Sequence, residues 1–224
     1  MDTPDSPAID LKAAYEVLSR ECGIRERLQL KAVACVFNQA FYAKAMEVYW
    51  KHNTLFDGLV IMMGGFHLLM MLLGVIGSGY GDAGIRELAV QSDVMAEGSM
   101  ENVISGKHYN RAVYLHKIMY EALMRVLIQE FESSLTDESN GLMLNEEIRQ
   151  IDQLKLVVGP EQFQRVLHSI KFRKWESQFN AYVLDVKDKG TDLERFWLSH
   201  LELCELMLSL IYATRTGSWE LYLS

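Results

Sequence analysis

The sequence predicts a mainly α fold with a small parallel β component, a βαβ unit. Three observations predict it. Two short uninterrupted apolar runs, AVACVF (32–37) and LVIMM (59–63), have the length and composition of strands covered on both faces. The segment between them repeats its apolar residues with the period of a helix, and two strands joined through one crossover helix run parallel. Beyond residue 65 the apolar pattern is helical almost throughout.

Each element follows from local chemistry. Residues 9–22 place Ile9, Leu11, Ala14, Tyr15 and Leu18 at helical spacing, with Gly23 as the expected stop. Asn38 and Gln39 end the first strand, and a helix over 41–52 carries Phe41, Ala45, Val48 and Tyr49 on one side with Lys44, Glu47 and Lys51 elsewhere. The second strand, 59–63, sits between Asp57-Gly58 and Gly64-Gly65. From Phe66 the pattern lengthens through Leu68, Leu69, Met71, Leu72, Val75 and Ile76, and Gly77, Gly79 and Gly81 are expected to stop that helix.

Asp82 is placed to cap a helix through Ile85, Leu88 and Ala89, and Ser99 a short one through Val103 that Gly106 breaks. The longest periodic segment is 109–135, where Ala112, Leu115, Met119, Ala122, Leu123 and Val126 trace one stripe. A polar linker, TDESNG, occupies 136–141, and 144–158 has helical spacing. Pro160 suits the first position of a helix over 161–186, and 187–190 reads as a loop. Thr191 and Glu194 then form a capping box for an apolar helix over 193–212, and Gly217-Ser218 precedes a short WELYLS segment.

This divides the chain into an N-terminal helical segment (1–29), a βαβ-like core segment (30–81) and an all-α region (82–224). Two strands alone leave unpaired edges. That, with a last residue falling inside an amphipathic pattern, gives the expectation of a chain truncated at its C-terminus. The most apolar stretch, 58–76, is the alternative candidate for a membrane span. A bilayer takes roughly 20 apolar residues; this run is shorter, holds Gly64-Gly65 and His67 at its middle, and has no cationic flank. The expectation is a buried core and no membrane partner.

With 30 acidic against 22 basic residues the net charge is −8, so the molecular field repels polyanions and any nucleic-acid contact needs a local basic patch. Cys22, Cys35 and Cys204 are odd in number, far apart and without CxxC spacing. They suggest neither a disulfide framework nor a cysteine zinc site, and fit a reduced intracellular compartment, nucleus and cytoplasm alike. The acidic, polar N-terminus lacks the pattern of a secretory signal.

In parallel sheets ligands gather at the carboxyl ends of the strands. Those ends present a candidate site of Asn38, Gln39, Gly64, Gly65 and His67, where the glycines permit close approach and His67 is a ligand or general acid/base. The plainer reading is a histidine bonded within the core beside a tight turn. His108 and His116 have no carboxylate or cysteine at ligand spacing and read as surface or bridging side chains, so no metal set is evident and no cofactor is expected. A candidate nucleic-acid contact is the basic-aromatic cluster of Arg165, Lys171, Arg173, Lys174 and Trp175, with His168 and Phe172 among them. The commoner arrangement for such a cluster is a solvated helix face over an aromatic core stripe. The sequence contains no GxSxG, Walker loop or GxGxxG.

Four phrases carry a resemblance: GGFHLLMMLLGVIGSGYGDAG (64–84), VMAEGSMENVISGKHYNRAV (94–113), YEALMR (120–125) and RFWLSHLELCELMLSLIYATRTGSWELYL (195–223). Over about residues 30–224 the chain resembles a family of uncharacterised, multicopy animal-genome proteins derived from mobile elements. More distantly, the order of strand, helix, strand ending near a histidine and large helical region is similar to the middle of RNase H-like transposases with an all-α insertion. The resemblance implies a partial RNase H-like core and descent from a transposase, and it brings no established activity with it.

The family pattern after the first strand is FDQALYAKA, whereas this chain has FNQAFYAKA, with Asn38 in place of the acid. An amide does not hold a catalytic Mg²⁺ as a carboxylate does. Thr216 and Tyr222 stand where Glu and His are commoner in the family. The resemblance therefore implies a catalytically inert transposase-like protein. The alternative is an α-helical interaction module whose partner is another protein or the remainder of its own family's chain; nucleic acid enters as a partner by descent only.

Overall fold

Residues 10–135 and 167–223 are described by a computed structural model, apart from the side chains of Lys171 and Leu223. The first half holds α1 (Leu11–Arg27), β1 (Val33–Phe37), α2 (Gln39–Lys51), β2 (Leu59–Met63) and α3 (Gly65–Tyr80). A 3₁₀ turn (Gly81–Ala83) leads to α4 (Ile85–Gln91), and another (Glu97–Ser99) to α5 (Met100–Ile104). Then come α6 (Tyr109–Ser134), α7 (Ile170–Lys189), α8 (Asp192–Thr216) and α9 (Trp219–Leu223). The fold is mainly α with one small parallel sheet, as the sequence predicts. The expected helix over 144–158 and the start of the one over 161–186 lie outside the described residues.

The chain forms two compact units, the first of residues 1–78, 101–109 and 207–224, the second of 79–100 and 110–206. In the first, β1 and β2 pair in parallel through their whole length, from Val33 opposite Leu59 to Phe37 opposite Met63. Ala14, Leu18 and Cys22 of α1, Ala45 and Val48 of α2, Phe56, and the inward Cys35 and Leu59 make its core. Burying each aliphatic side chain there contributes about 1.5–3 kcal/mol.

The expectation of strands sheltered on both faces is corrected. Side chains alternate across a strand, and α1 and α2 both pack on the face carrying Cys35, Leu59 and Ile61. The opposite face is open enough to leave Val36 57% and Val60 48% exposed.

Glycine misled at two helix ends. Helix α1 continues through Gly23 to Arg27, and α3 continues through Gly77 and Gly79 to Tyr80. A glycine within a helix costs about 1 kcal/mol against alanine, which packing readily offsets. At Gly77 the reason is steric: a Cβ there would lie 1.8 Å from the Ile104 carbonyl oxygen. Asp82 does not cap α4; Gly84, at φ 116°, takes that position, and Asp82 instead lies 3.7 Å from Arg86. Helix α7 starts at Ile170, where Ser169 accepts a hydrogen bond from the Phe172 N–H, and runs on to Lys189 through the segment read as a loop.

In the second unit, Ala112, Leu115 and Met119 of α6 and Leu198, Leu201 and Cys204 of α8 are buried. Phe131 meets Trp175, Phe179 and Tyr182 of α7 at centroid distances of 5.8, 5.4 and 5.4 Å. The expected capping box is present: the Thr191 N–H donates to Glu194 Oε2 at 2.6 Å, and the Glu194 N–H to Thr191 Oγ1 at 3.2 Å. Two helical segments, Gly65–Ala83 and Asp192–Thr216, are long and apolar enough to cross a membrane by length and composition.

Candidate functional site

The parallel register brings the carboxyl ends of β1 and β2 to a common rim, where the Gly64 N–H donates to the Phe37 carbonyl at 2.8 Å. Asn38 and Gln39 follow β1 as exposed residues, and Gly65 and His67 open α3 directly after β2. All five predicted residues therefore lie where the strands end.

Their chemistry is largely spent on the fold. Asn38 is the N-cap of α2, its Oδ1 accepting the Phe41 N–H at 2.9 Å. Neither Gly64 nor Gly65 has a positive φ. A Cβ at Gly64 would be in ordinary contact, 3.5 Å from the Phe37 oxygen, while one at Gly65 would press on Thr214 Oγ1 at 3.1 Å. Only Gly65 serves a close approach. His67 is half-buried, its ring edge-on to Phe66 at 6.0 Å.

A cavity of about 220 Å³ lies at this rim, lined by Val36, Met62, Met63 and Gly65 and by Ala213, Thr214 and Tyr222, among others. The Tyr222 hydroxyl donates to the Met63 carbonyl at 3.2 Å. Thr214 and Thr216 donate instead to carbonyls of their own helix, those of Leu210 and Tyr212, at 2.7 and 2.8 Å. No lining residue of the cavity is a carboxylate. The rim can bind an apolar group, but it offers a hard cation no charged oxygen.

Asn38→Ala is expected to lower stability by about 1 kcal/mol through loss of the cap, whereas Asn38→Asp, an equally good cap at a helix N-terminus, is expected to change it by less than about 0.5 kcal/mol. Urea denaturation of the three proteins checks this. An alanine variant as stable as the parent would show that the cap contributes nothing.

In the basic-aromatic cluster, Arg165 lies outside the described residues. Arg173 and Lys174 are exposed on α7, as a solvated helix face requires, and Lys171 belongs to the same helix. Trp175 is half-buried and packs against other rings. It lies parallel to Phe179 at 5.2 Å with 7° between the rings, stacks on Phe172 at 5.9 Å and meets the edge of Phe131. The aromatic half of the cluster is core.

The polar group that sequence reasoning missed is in the second unit. Of the two histidines read as surface or bridging side chains, His108 is exposed, whereas His116 is wholly buried, which excludes the surface alternative for it. It meets His200 of α8 at a ring-centroid distance of 5.9 Å. One turn further along α8, Cys204 Sγ is 3.9 Å from Nδ1 and 3.7 Å from Nε2 of His200. One nitrogen or sulfur atom from each of the three lies within 4.8 Å of the others, and all three residues are 0% exposed.

Among the described residues, neither ring nitrogen of His116 has a hydrogen-bond partner. Burial, with a smaller contribution from His200, lowers the pKa of His116 to about 4; burial alone lowers His200 to about 4. Burial, then Glu205, pushes the Cys204 thiol up to about 12. At neutral pH the set is two neutral imidazoles and a thiol. The legible signal was His200 and Cys204 at i, i+4 spacing on a helix, with His116 inside the apolar stripe of another.

A protein-family model described as a domain of unknown function (DUF8702) matches residues 4–224. No curated protein and no solved structure matches the chain.

Proposed function

The chain belongs to the DUF8702 family, and we propose that it is transposase-like by descent, a mobile-element-derived protein without nuclease chemistry of its own. The carrying observation is the rim. A parallel strand pair joined through one helix ends at Asn38 and Gly64–His67, the order expected of a partial RNase H-like core. The segment holding Thr216 and Tyr222, where Glu and His are commoner in the resembling family, belongs to the same unit, and Tyr222 bonds to the last residue of β2. These positions supply amide, hydroxyl and phenol, so a two-metal phosphodiester mechanism has no anionic ligands there.

The purified protein is expected to leave supercoiled DNA intact with Mg²⁺ or Mn²⁺. Nicking that EDTA abolishes would overturn the loss of activity. Terminal inverted repeats flanking the gene would support the descent. Three free thiols fit an intracellular, reducing location.

A second reading, an interaction module, is favoured by the open apolar sheet face at Val36 and Val60. A partner adding to this face would protect the β1 and β2 amides from hydrogen exchange.

A further inference from the structure

We propose that His116, His200 and Cys204 bind one thiophilic divalent cation, zinc in the first place, as a His₂Cys site joining α6 to α8. Four observations point the same way. The three side chains are of the types that hold zinc, nitrogen and sulfur rather than oxygen donors. All three are fully buried, where a polar ring must find a partner, yet both nitrogens of His116 have none among the described residues. A buried polar atom without a partner costs about 1–3 kcal/mol, and a cation would give one of the two His116 nitrogens the partner it lacks.

The spacing also fits. Tetrahedral zinc, with bonds of about 2.0–2.1 Å to nitrogen and about 2.3 Å to sulfur, sets its ligand atoms roughly 3.3–3.7 Å apart. His200 Nε2 and Cys204 Sγ are already 3.7 Å apart, and the full set lies within 4.8 Å, so side-chain adjustment of about 1 Å would bring it to that geometry. Finally, the donors stand on two long helices rather than on loops, which holds them in place before the ion arrives.

Binding balances simply. The Cys204 S–H bond breaks, the proton leaves to solvent, and the sulfur lone pair forms the bond to the cation, while each imidazole gives a nitrogen lone pair and keeps its other N–H. One proton is released per ion. The fourth tetrahedral position is left to water or another small donor. The site is independent of the transposase reading, since that reading concerns the other unit and is tested by nicking.

The test uses the full chain. After washing without strong chelator, mass spectrometry of the metals is expected to find about one zinc per chain. In zinc-free protein, stoichiometric Co²⁺ is expected to give a thiolate-to-cobalt charge-transfer band with the visible bands of tetrahedral cobalt. Cys204→Ala should lose that band and weaken zinc binding about 100-fold or more, whereas Cys22→Ala/Cys35→Ala should keep both. His116→Asn should shift the visible bands. If Cys204→Ala does not fold, Cys22→Ala/Cys35→Ala decides, since Cys204 is then the one thiol left: zinc retention with the cobalt–thiolate band supports the site, and the lack of either overturns it. A band that survives Cys204→Ala, or is lost in Cys22→Ala/Cys35→Ala, also overturns it.

Discussion

Gly77→Ala is expected to destabilise the protein by about 3 kcal/mol or more, at the upper end of overpacking. The added Cβ would lie 1.8 Å from the Ile104 oxygen, 2.7 Å from its carbonyl carbon and 3.1 Å from its Cα. Those are backbone atoms, which cannot swing aside as a side-chain tip can. Gly106, at φ +74°, lies against the same helix from the same segment: its Cβ would be 3.0 Å from the Met70 oxygen and 3.2 Å from the Gly74 nitrogen. Helix α3 is therefore in direct backbone contact with residues 104–106.

The control is in the same helix. Gly79 has nothing within 4 Å of an added Cβ. Gly79→Ala should be neutral or stabilise by about 0.5–1 kcal/mol, the ordinary helical preference for alanine. Thermal and urea denaturation of both variants give the comparison, and equal stabilities would mean that the close approach is not present in solution.

Acid should unfold the metal-free protein through its buried imidazoles. Both His116 and His200 have pKa values lowered to about 4 by burial, against about 6.5 in an unfolded chain. The unfolded state therefore binds more protons between those values. Stability is complete above about pH 6.5 and falls as pH drops toward 4, by on the order of 3 kcal/mol per ring. The groups around the pair give the charged rings little support: Tyr80 stacks edge-on to His200 at 4.8 Å, Cys204 is a thiol, and Glu205 is engaged by the Tyr120 hydroxyl at 2.9 Å.

Exposed carboxylates add acid sensitivity of their own. Glu194, held below the usual carboxylate range by the Thr191 N–H and hydroxyl, loses its contribution as pH falls through its lowered pKa. The slope is therefore read by difference. Urea midpoints between pH 7 and 4, with chelator present, should fall less steeply for His116→Gln than for the parent. Parallel slopes would show that His116 does not titrate as a buried ring.

The strands and the Thr191–Glu194 cap were legible because both are local. An unbroken apolar run such as LVIMM states its own element, and a capping box needs only residues three apart. What failed was whatever depended on a distant piece of chain. Gly77 reads as a helix stop because glycine signals both termination and close approach, and only the path of residues 104–106 distinguishes them. Val36 reads as buried because a strand's apolar run does not say how many layers will cover it.

The candidate sites divide in the same way. The rim residues could be placed from the βαβ order, yet Asn38 could not be known to face its own helix. Trp175 was grouped with its basic neighbours, although three aromatic rings claim it. His116 had no local partner, since its companions come from α8, far along the chain.

Among the described residues the sheet has an order of β1-β2 and nothing more. Among the described residues neither strand has a neighbour on its outer side, so no ladder bond is shielded by a second ladder, and the pair relies on what packs against it: α1 and α2 on one face and the Tyr222 hydroxyl at the Met63 carbonyl. The strand rim is thus only as durable as the clamp of α1 and α2 together with the Tyr222 contact at its end. A fluctuation that lifts either helix is expected to loosen both strands together, and the rim with them.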